Sequence, residues 1–260
     1  MSKPLPRQIV RLVALLLLTL VGLQLFFLAR IALMVLVDPQ STSFQRSEAW
    51  RLLSERGRIQ WSQHWVADEH IAATLKRAVI ASEDAAFVEH GGVDWDAIER
   101  AWDRNQRTEA LVERRGERVQ QLLRRGSNAA NLPARPAPRL VGGSTITQQL
   151  AKNLFLSGER TVLRKAQEFV LTFALEAMLG KRRILEIYLN SVEWGEGLFG
   201  AQAAARHYFH VDAAQLGAFP AARLAVMLPA PKRFEKRPES GYVTAHAAMV
   251  LARMGAVELP

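Results

Sequence analysis

The stretch KAQEFVLTFALEAML, residues 165–179, decides the fold. Its residues are apolar around almost the whole circumference of a helix, with interruptions mainly at Gln167, Glu168, Thr172 and Glu176. A helix that is apolar on all sides is normally enclosed by other parts of its protein. The stretch therefore predicts a buried central helix.

Shorter helices are predicted on both sides of this stretch. Their apolar residues recur at helical spacing, and no segment shows the sustained alternation typical of a strand. The predicted helices are residues 48–56, 71–81, 94–102, 145–155, 183–190, 197–209 and 221–228. Because the chain also lacks an internal repeat, we predict an all-α fold.

The amino-terminal segment predicts a single transmembrane helix at residues 12–37. It carries one charge, Arg30, close enough to its end to reach the headgroups. At ~1.5 Å per residue it is long enough to cross a ~30 Å hydrocarbon core. Basic residues in the tail, residues 1–11, place the amino terminus in the cytoplasm. A cleaved signal peptide is the alternative, but its apolar region is normally only about 7 to 15 residues long.

The remainder divides into two predicted parts. Residues 38–64 are polar and mixed, which indicates a linker and membrane-proximal segment. Residues 65–260 form one domain, in which residues 103–139 are an arginine-rich insert. We interpret the insert as a helical extension followed by a crossover loop at residues 126–138, which are rich in Ala, Asn and Pro.

Composition excludes several classes of function. The chain has no cysteine, so disulfides, thiol catalysis and cysteine-ligated metals are excluded. A formal net charge of +9 suits an anionic partner such as nucleic acid, phospholipid or a phosphorylated substrate, although a solvated basic face explains it equally well. No basic stripe interleaved with aromatic residues supports nucleic-acid binding.

Glu83 is the first candidate for catalysis. It follows the predicted helix 71–81, where a negative charge opposes the helix dipole. Apolar Val79, Ile80 and Phe87 surround it in the sequence, so we expect a raised pKa, as a general base requires. A solvated helix end is the plainer explanation of an acidic residue here.

Two further clusters are suited to anionic groups. The sequence Gly-Gly-Ser-Thr at residues 142–145 precedes a helix, with Thr145 and Gln148 fitting a capping box, and either cradles a phosphate or is an ordinary capped turn. The second cluster combines Glu168 with cations at Arg160, Arg164 and Lys165. Its plain interpretation is a surface ion pair, but three cations on a buried helix favour a bound pyrophosphate.

No metal site is predicted. His90, His207 and His210 lack the spacing of known histidine ligand motifs. The sequence also contains neither the Ser-x-x-Lys motif nor the Gly-x-Ser-x-Gly elbow of serine nucleophiles.

Five stretches, in this order, resemble the peptidoglycan glycosyltransferase family, which comprises the glycosyltransferase domain of class A penicillin-binding proteins and its monofunctional relatives. They are EDAAFVEHGGVDWDAI (83–98), GGSTITQQLAKNLFL (142–156), ERTVLRKAQE (159–168), KRRILEIYLN (181–190) and GEGLFGAQAAARHYF (195–209). Only 29 residues follow Pro231, too few for a transpeptidase domain, which points to the monofunctional type.

The resemblance implies a lysozyme-like, bilobed helical domain that polymerises lipid II into β-1,4-linked glycan strands. Glu83 resembles the general base, undecaprenyl pyrophosphate is the leaving group of an inverting reaction, and Glu168 resembles the second essential glutamate. The expected partners are lipid II, the growing glycan strand, membrane lipid and other cell-wall synthesis proteins. The resemblance also implies that the protein is located in the bacterial inner membrane, with its catalytic domain in the periplasm.

The resemblance also assigns substrate-binding positions. Those expected to hold phosphates or line the cleft are Asp84, Ser144, Thr145, Gln148, Lys152, Arg160, Arg164 and Lys165. No cofactor is required by the pattern, but Mg²⁺ or Mn²⁺ beside a diphosphate is compatible with a carboxylate such as Glu168.

The chain departs from the family pattern at Val141, which replaces a frequent arginine, at the long insert 103–139, and at Pro220, which replaces a usual glutamate. Since proline is tolerated in a first helical turn, we expect Pro220 to remove a local contact rather than activity. Two other functions stay open. A lytic enzyme of the same fold would also use two carboxylates, and a non-catalytic scaffold would use the basic insert.

Overall fold

The computed structural model describes residues 7–124, 143–156, 158–159 and 161–260. The helices are α1 (Arg7–Leu33), α2 (Ser43–Arg56), α3 (Ala73–Glu83), α4 (Trp95–Arg124), α5 (Ile146–Phe155), α6 (Val162–Met178), α7 (Lys181–Ser191), α8 (Ala201–Phe209), α9 (Ala218–Met227), α10 (Pro231–Phe234) and α11 (Gly241–Met254). Short 3₁₀ turns lie at Asp68–His70 and Ala213–Gln215. The predicted helical class is confirmed.

A small sheet accompanies the helices. Its strands are β1 (Ser62–Gln63), β2 (Glu193–Gly195) and β3 (Leu198–Phe199), with β3 parallel to β1 and antiparallel to β2. Strands of two or three residues are too short to show the alternation on which a sequence prediction depends. The prediction of a helix over residues 197–209 is therefore wrong at its start, since α8 begins only at Ala201.

The turn between β2 and β3 requires a glycine. Gly197 has φ +70°, and a Cβ at this position would lie 2.1 Å from the carbonyl oxygen of Gln60. Only a residue without a side chain permits that approach and that backbone conformation. The glycine thus joins the β2–β3 hairpin to the segment that contains β1.

The core of the main unit lies around α3, α9 and α11, and α5 with α7 adds a second packed layer. Leu75, Val79, Leu224 and Val243 have no exposed surface in this core. Pro220 lies in the first turn of α9, after the N-cap Gly217. A backbone N–H in a first turn has no acceptor within the helix, so a proline there costs no helical hydrogen bond.

The apolar amino-terminal helix α1 has the length and composition to cross a membrane and is consistent with a single-pass anchor. It ends at Leu33, and residues 34–37, predicted to continue it, form tight turns instead. The following helix, α2, lies within residues 38–64 and packs on α5, with Gln45, Glu48 and Leu52 buried.

The prediction that α6 is buried on all sides is wrong. Its buried side chains are Glu168, Leu171, Thr172 and Leu175, which lie on one face. Apolar residues elsewhere on the helix are exposed, including Val162 at 89%, Leu163 at 81%, Val170 at 51% and Phe173 at 47%. The physical reason is that an apolar sequence does not distinguish a protein core from another apolar environment.

The chain divides into two compact units. One comprises Met1–Val93 with Thr145–Pro260, and the other is Asp94–Ser144. In the second unit, α4 confirms that a helical extension runs through the first part of the insert, and it exposes Trp95, Trp102 and Leu111. The predicted crossover at residues 126–138 lies outside the described residues, as does Val141.

Candidate active site

Glu83 is the last residue of α3, as the sequence predicts, and it is partly buried. Desolvation raises its pKa, and the neighbouring Asp84 charge adds to the rise. Hydrogen bonds from Gln149 and Ser82, and the positive charge of Lys152, oppose it. The net rise agrees with the sequence prediction and suits a proton acceptor at neutral pH.

A relay of hydrogen bonds holds Glu83. The Gln149 amide donates from Nε2 to Glu83 Oε2 at 3.0 Å, and its Oε1 accepts from the Tyr188 hydroxyl at 2.9 Å. Tyr188 is fully buried, and desolvation raises its pKa well above the usual value, so it remains a donor. Because the hydroxyl occupies the amide oxygen, the amide nitrogen must face Glu83.

The second carboxylate oxygen of Glu83 is less engaged. Among the described residues, Oε1 has a hydrogen bond only from Ser82 Oγ, and at 3.4 Å it is long. Glu83 therefore combines one firmly held oxygen with one that can accept a proton from a bound hydroxyl group.

Asp84, predicted to bind substrate, uses both of its oxygens within the protein. Oδ1 lies 2.8 Å from His90 Nε2, and Oδ2 accepts from the backbone N–H of Ile146 at 2.9 Å. The carboxylate therefore satisfies a free N–H in the first turn of α5. Asp84 joins α3, α5 and the loop that carries His90, directly beside Glu83.

The predicted capping box at the start of α5 is confirmed. The Thr145 hydroxyl accepts from Gln148 N–H at 3.2 Å, and Gln148 Oε1 accepts from Thr145 N–H at 3.1 Å. Thr145 also donates to the Gly92 carbonyl at 2.6 Å. Both side chains are buried, and Gln148 Nε2 has no hydrogen-bond partner among the described residues.

The second glutamate, Glu168, lies on the buried face of α6 and is 3% exposed. Arg164 Nη1 donates to its Oε2 at 3.0 Å, and Lys165 Nζ donates to its Oε1 at 2.5 Å. Arg164 Nε is buried and has no hydrogen-bond partner within the described part of the chain. Two cationic side chains therefore hold both oxygens of one buried carboxylate.

Lys152 connects the two glutamates electrostatically. It follows Gln149 by three residues on α5, so the two side chains share one side of that helix. Desolvation lowers its pKa most, and the charges of Arg164 and Lys165 lower it further, while Glu168 and Glu83 raise it. One ammonium group is therefore within electrostatic reach of both carboxylates.

Two predicted site residues stay predictions. Ser144 is exposed at the end of the unit Asp94–Ser144, and Arg160 lies outside the described residues. No group of three or more acidic or histidine side chains suited to a metal ion is found where the structure describes the chain.

Sequence reasoning missed Gln149 and Tyr188. Gln149 lies inside the quoted stretch 142–156, next to Gln148, but only its position on α5 shows which glutamine faces Glu83. Tyr188 is 39 residues away on another helix, and no local signal marks it.

Known proteins resemble this chain over most of its length. The family model described as Transglycosylase matches residues 51–117 and 123–255. The biosynthetic peptidoglycan transglycosylase of Burkholderia orbicola is 47% identical over 237 residues, covering 91% of this chain and 85% of that protein. Proteins of the same description from Burkholderia lata and Burkholderia ambifaria are each 46% identical with the same coverage. With this family match and this identity over nine tenths of its length, the chain belongs to the transglycosylase family.

Proposed function

We propose that this chain, a peptidoglycan glycosyltransferase by family, polymerises lipid II into β-1,4-linked glycan strands and releases undecaprenyl pyrophosphate. The observation that carries the proposal is the pair of contrasting glutamates, both within electrostatic reach of Lys152 on α5. Glu83 has a raised pKa and one weakly engaged oxygen. Glu168 is bound by Arg164 and Lys165. The first environment suits a base, and the second suits a diphosphate leaving group.

In the proposed step, Glu83 takes the proton from the 4-hydroxyl group of the acceptor sugar. The hydroxyl oxygen then attacks the anomeric carbon of the donor from the face opposite the pyrophosphate. The new C–O bond forms as the bond to the phosphate oxygen breaks, and the electron pair leaves with the pyrophosphate. This displacement inverts the anomeric carbon, and Glu83 returns its proton to solvent before the next cycle.

The Gln149 relay orients the base. Because Gln149 holds Glu83 Oε2, the carboxylate group cannot rotate freely. The direction of the other oxygen is therefore fixed. Tyr188 in turn fixes the amide. The hydrogen bond from Gln149 also opposes the rise of the Glu83 pKa and so favours the ionised carboxylate.

The cations stabilise the departing charge. Lys152, Arg164 and Lys165 lie around Glu168, and negative charge builds on the pyrophosphate as its bond to the sugar breaks. We assign Arg160 and Ser144 to the same donor region on their positions in the matching stretches alone.

This cation group favours transfer over lysis. A glycan-cleaving enzyme needs an acid and a base or nucleophile beside a neutral glycosidic bond. It has no use for three cations beside its second carboxylate, whereas a diphosphate donor does. The same argument weakens the scaffold alternative, which gives no role to the Glu83 relay.

We place the catalytic unit on the periplasmic side of the inner membrane, because the basic residues before the anchor favour a cytoplasmic amino terminus. No resident metal is part of the proposal. A Mg²⁺ or Mn²⁺ ion that arrives with the diphosphate would meet Glu168, whose oxygens already accept from two cations. Running the lipid II assay with and without a chelator tests that point, since a loss of activity with the chelator would show that a divalent ion takes part.

The test is an assay of the full-length chain with labelled lipid II. We expect Glu83→Gln to lower kcat about 10³-fold, within the range that a general base contributes. Glu89→Gln, an exposed residue of the same loop, is the matched control and should retain activity. If Glu83→Gln polymerises at the normal rate, Glu83 is not the base. Release of muropeptides from purified peptidoglycan would instead support a lytic enzyme.

A further inference from the structure

The second half of α1 contacts the catalytic unit through one face. Gln24, Phe27 and Ile31 follow one another at spacings of three and four residues, which places them in one stripe along the helix. Together with Arg30 they are the less exposed positions of α1, and Met34, directly after the helix, is buried like Ile31. The anchor is therefore packed on the unit rather than joined to it only at its end.

The carboxyl-terminal end of α1 is held by α5 and α7. The Phe27 and Phe155 rings meet edge to face with centroids 5.4 Å apart, and the Arg30 guanidinium lies 5.3 Å from the Phe155 ring centroid. From α7, Arg183 donates to the Met34 carbonyl at 2.9 Å and to Asp38 at 2.7 Å.

Further along the apolar helix, Gln24 makes a contact of a different kind with α6. Gln24 Nε2 donates to Gln167 Oε1 at 2.9 Å, and Gln167 Nε2 donates to Gln24 Oε1 at 3.0 Å. Gln24 lies nine residues before Leu33, so the pair is roughly 14 Å along α1 from its end. Amide groups in apolar surroundings need such partners, because no water satisfies them there.

The two hydrogen bonds fix the relative position of α1 and α6. Apolar contacts allow two helices to slide or rotate slightly, but a reciprocal amide pair forms only when both donors and both acceptors are aligned. Gln167 is directly followed by Glu168, the residue that Arg164 and Lys165 bind. A shift of Gln167 would therefore carry the donor-side charges with it.

We propose that Gln24 and Gln167 are positioning residues, through which the membrane anchor holds the donor-side charges of α6 in their working position. This inference rests on the proposed donor role of Glu168. It makes the anchor part of the catalytic unit, whereas a simple tether would tolerate any apolar residue at position 24.

The experiment uses the full-length chain in lipid nanodiscs, with lipid II as substrate. The variants are Gln24→Leu, Gln167→Leu and the double variant. Thr19→Leu is the matched control, since Thr19 is a polar residue of the same helix. Its hydroxyl donates to the Leu15 carbonyl one turn earlier and has no other hydrogen-bond partner among the described residues. We measure kcat, KM and the thermal unfolding midpoint of each protein.

Each single variant leaves one amide without its partner, so both kcat and the unfolding midpoint should fall. We expect a loss of about tenfold in kcat with little change in KM, since displacement of catalytic groups by less than 1 Å has effects of this order. In the double variant two leucines can pack, so the midpoint should recover, but kcat should stay low because an apolar contact does not fix the alignment.

The inference is overturned if the single variants keep the kcat of the Thr19→Leu control. It is also overturned if kcat recovers together with the unfolding midpoint in the double variant, because the pair would then be structural only. A wild-type protein that makes no glycan from lipid II would count against the proposed function. An active wild type with unaffected variants would count against the positioning role alone.

Discussion

Glu83 and Glu168, the two glutamates of the proposed active site, are the same residue type, but their surroundings differ. Glu83 accepts hydrogen bonds from a neutral amide and a hydroxyl group, and desolvation raises its pKa. Glu168 accepts from a guanidinium and an ammonium group, one on each oxygen. The comparison teaches that the partners supplied by α5 and α6, rather than the residue type, assign the two roles.

The difference has a direct chemical consequence. Cationic donors occupy both oxygens of Glu168. Glu83 is held by neutral donors, and desolvation raises its pKa, which favours proton transfer to its weakly engaged oxygen. Four substitutions, in addition to Glu83→Gln, test this comparison.

The largest effect among these four is expected for Glu168→Gln. The amide cannot hold Arg164 and Lys165 in place, so the stabilisation of the leaving group is lost, and we expect kcat to fall about 10²- to 10³-fold. Because Glu83 is unchanged, the acidic limb of the kcat/KM pH profile should keep its midpoint. Glu239→Gln, an exposed glutamate, is the control. A shifted limb with little loss of rate would assign the base role to Glu168.

A smaller loss, about 10- to 100-fold in kcat/KM, is expected for Gln149→Leu, because the base loses its orientation. The hydrogen bond from Gln149 lowers the pKa of Glu83, so removing it should raise that pKa further. Since the base acts when deprotonated, the acidic limb of the pH profile should move to higher pH. An unchanged limb would show that Gln149 does not influence the base.

Tyr188→Phe should have a weaker effect in the same direction, about 3- to 10-fold in kcat/KM. The variant removes the hydroxyl that donates to Gln149 Oε1, so the amide can turn away from Glu83. We also expect a cost of about 1 kcal/mol in the free energy of unfolding, the usual value of one hydrogen bond. The measurements are pH–rate profiles and thermal unfolding. An equal loss at all pH values would indicate a packing effect alone.

A third buried glutamate extends the comparison away from the site. Glu193 lies 3.5 Å from Lys232 Nζ, and its Oε1 has no hydrogen bond from the described residues. Desolvation is the main cause that raises its pKa from 4.5 to about 7; the charges of Glu48 and Glu235 add to the rise and Lys232 opposes it. Glu193 is thus buried like Glu168 but without its two firm cationic partners.

Of the four substitutions, Glu193→Gln should have the smallest effect on activity. Its main effect should be on the pH dependence of stability. The folded protein binds the Glu193 proton more tightly than the unfolded chain, so this group stabilises the fold below pH 4.5 and the contribution is lost as the pH rises through about 7. The loss is at most about 3 kcal/mol. The unfolding midpoint of the wild type should fall more steeply between pH 5 and 8 than that of the variant. Equal slopes would contradict the prediction.

Sequence reasoning succeeded where the determining contacts are local. The capping box of Thr145 and Gln148 needs only residues three positions apart. The direction of the Glu83 pKa shift was also predicted, although its main cause, desolvation, comes from packing in the folded protein. The helical class follows from periodicity, and the pairing of Arg164 with Glu168 follows from one turn of helix.

The tertiary structure decided which of these local features act together. Only the packing of α5 brings Gln149 to Glu83, and only α7 supplies Tyr188. The internal use of Asp84 depends on Ile146, 62 residues later, and the exposed face of α6 depends on which elements pack against it.

By itself, therefore, the sequence determined most of the helices, the cap of α5, the membrane anchor candidate and the two candidate glutamates, but not α10 or α11. The partners that distinguish one glutamate from the other came from the tertiary structure. The physical reason is range: backbone hydrogen bonding and side-chain periodicity act within a few residues, whereas desolvation and hydrogen-bond partners come from segments that only folding brings together.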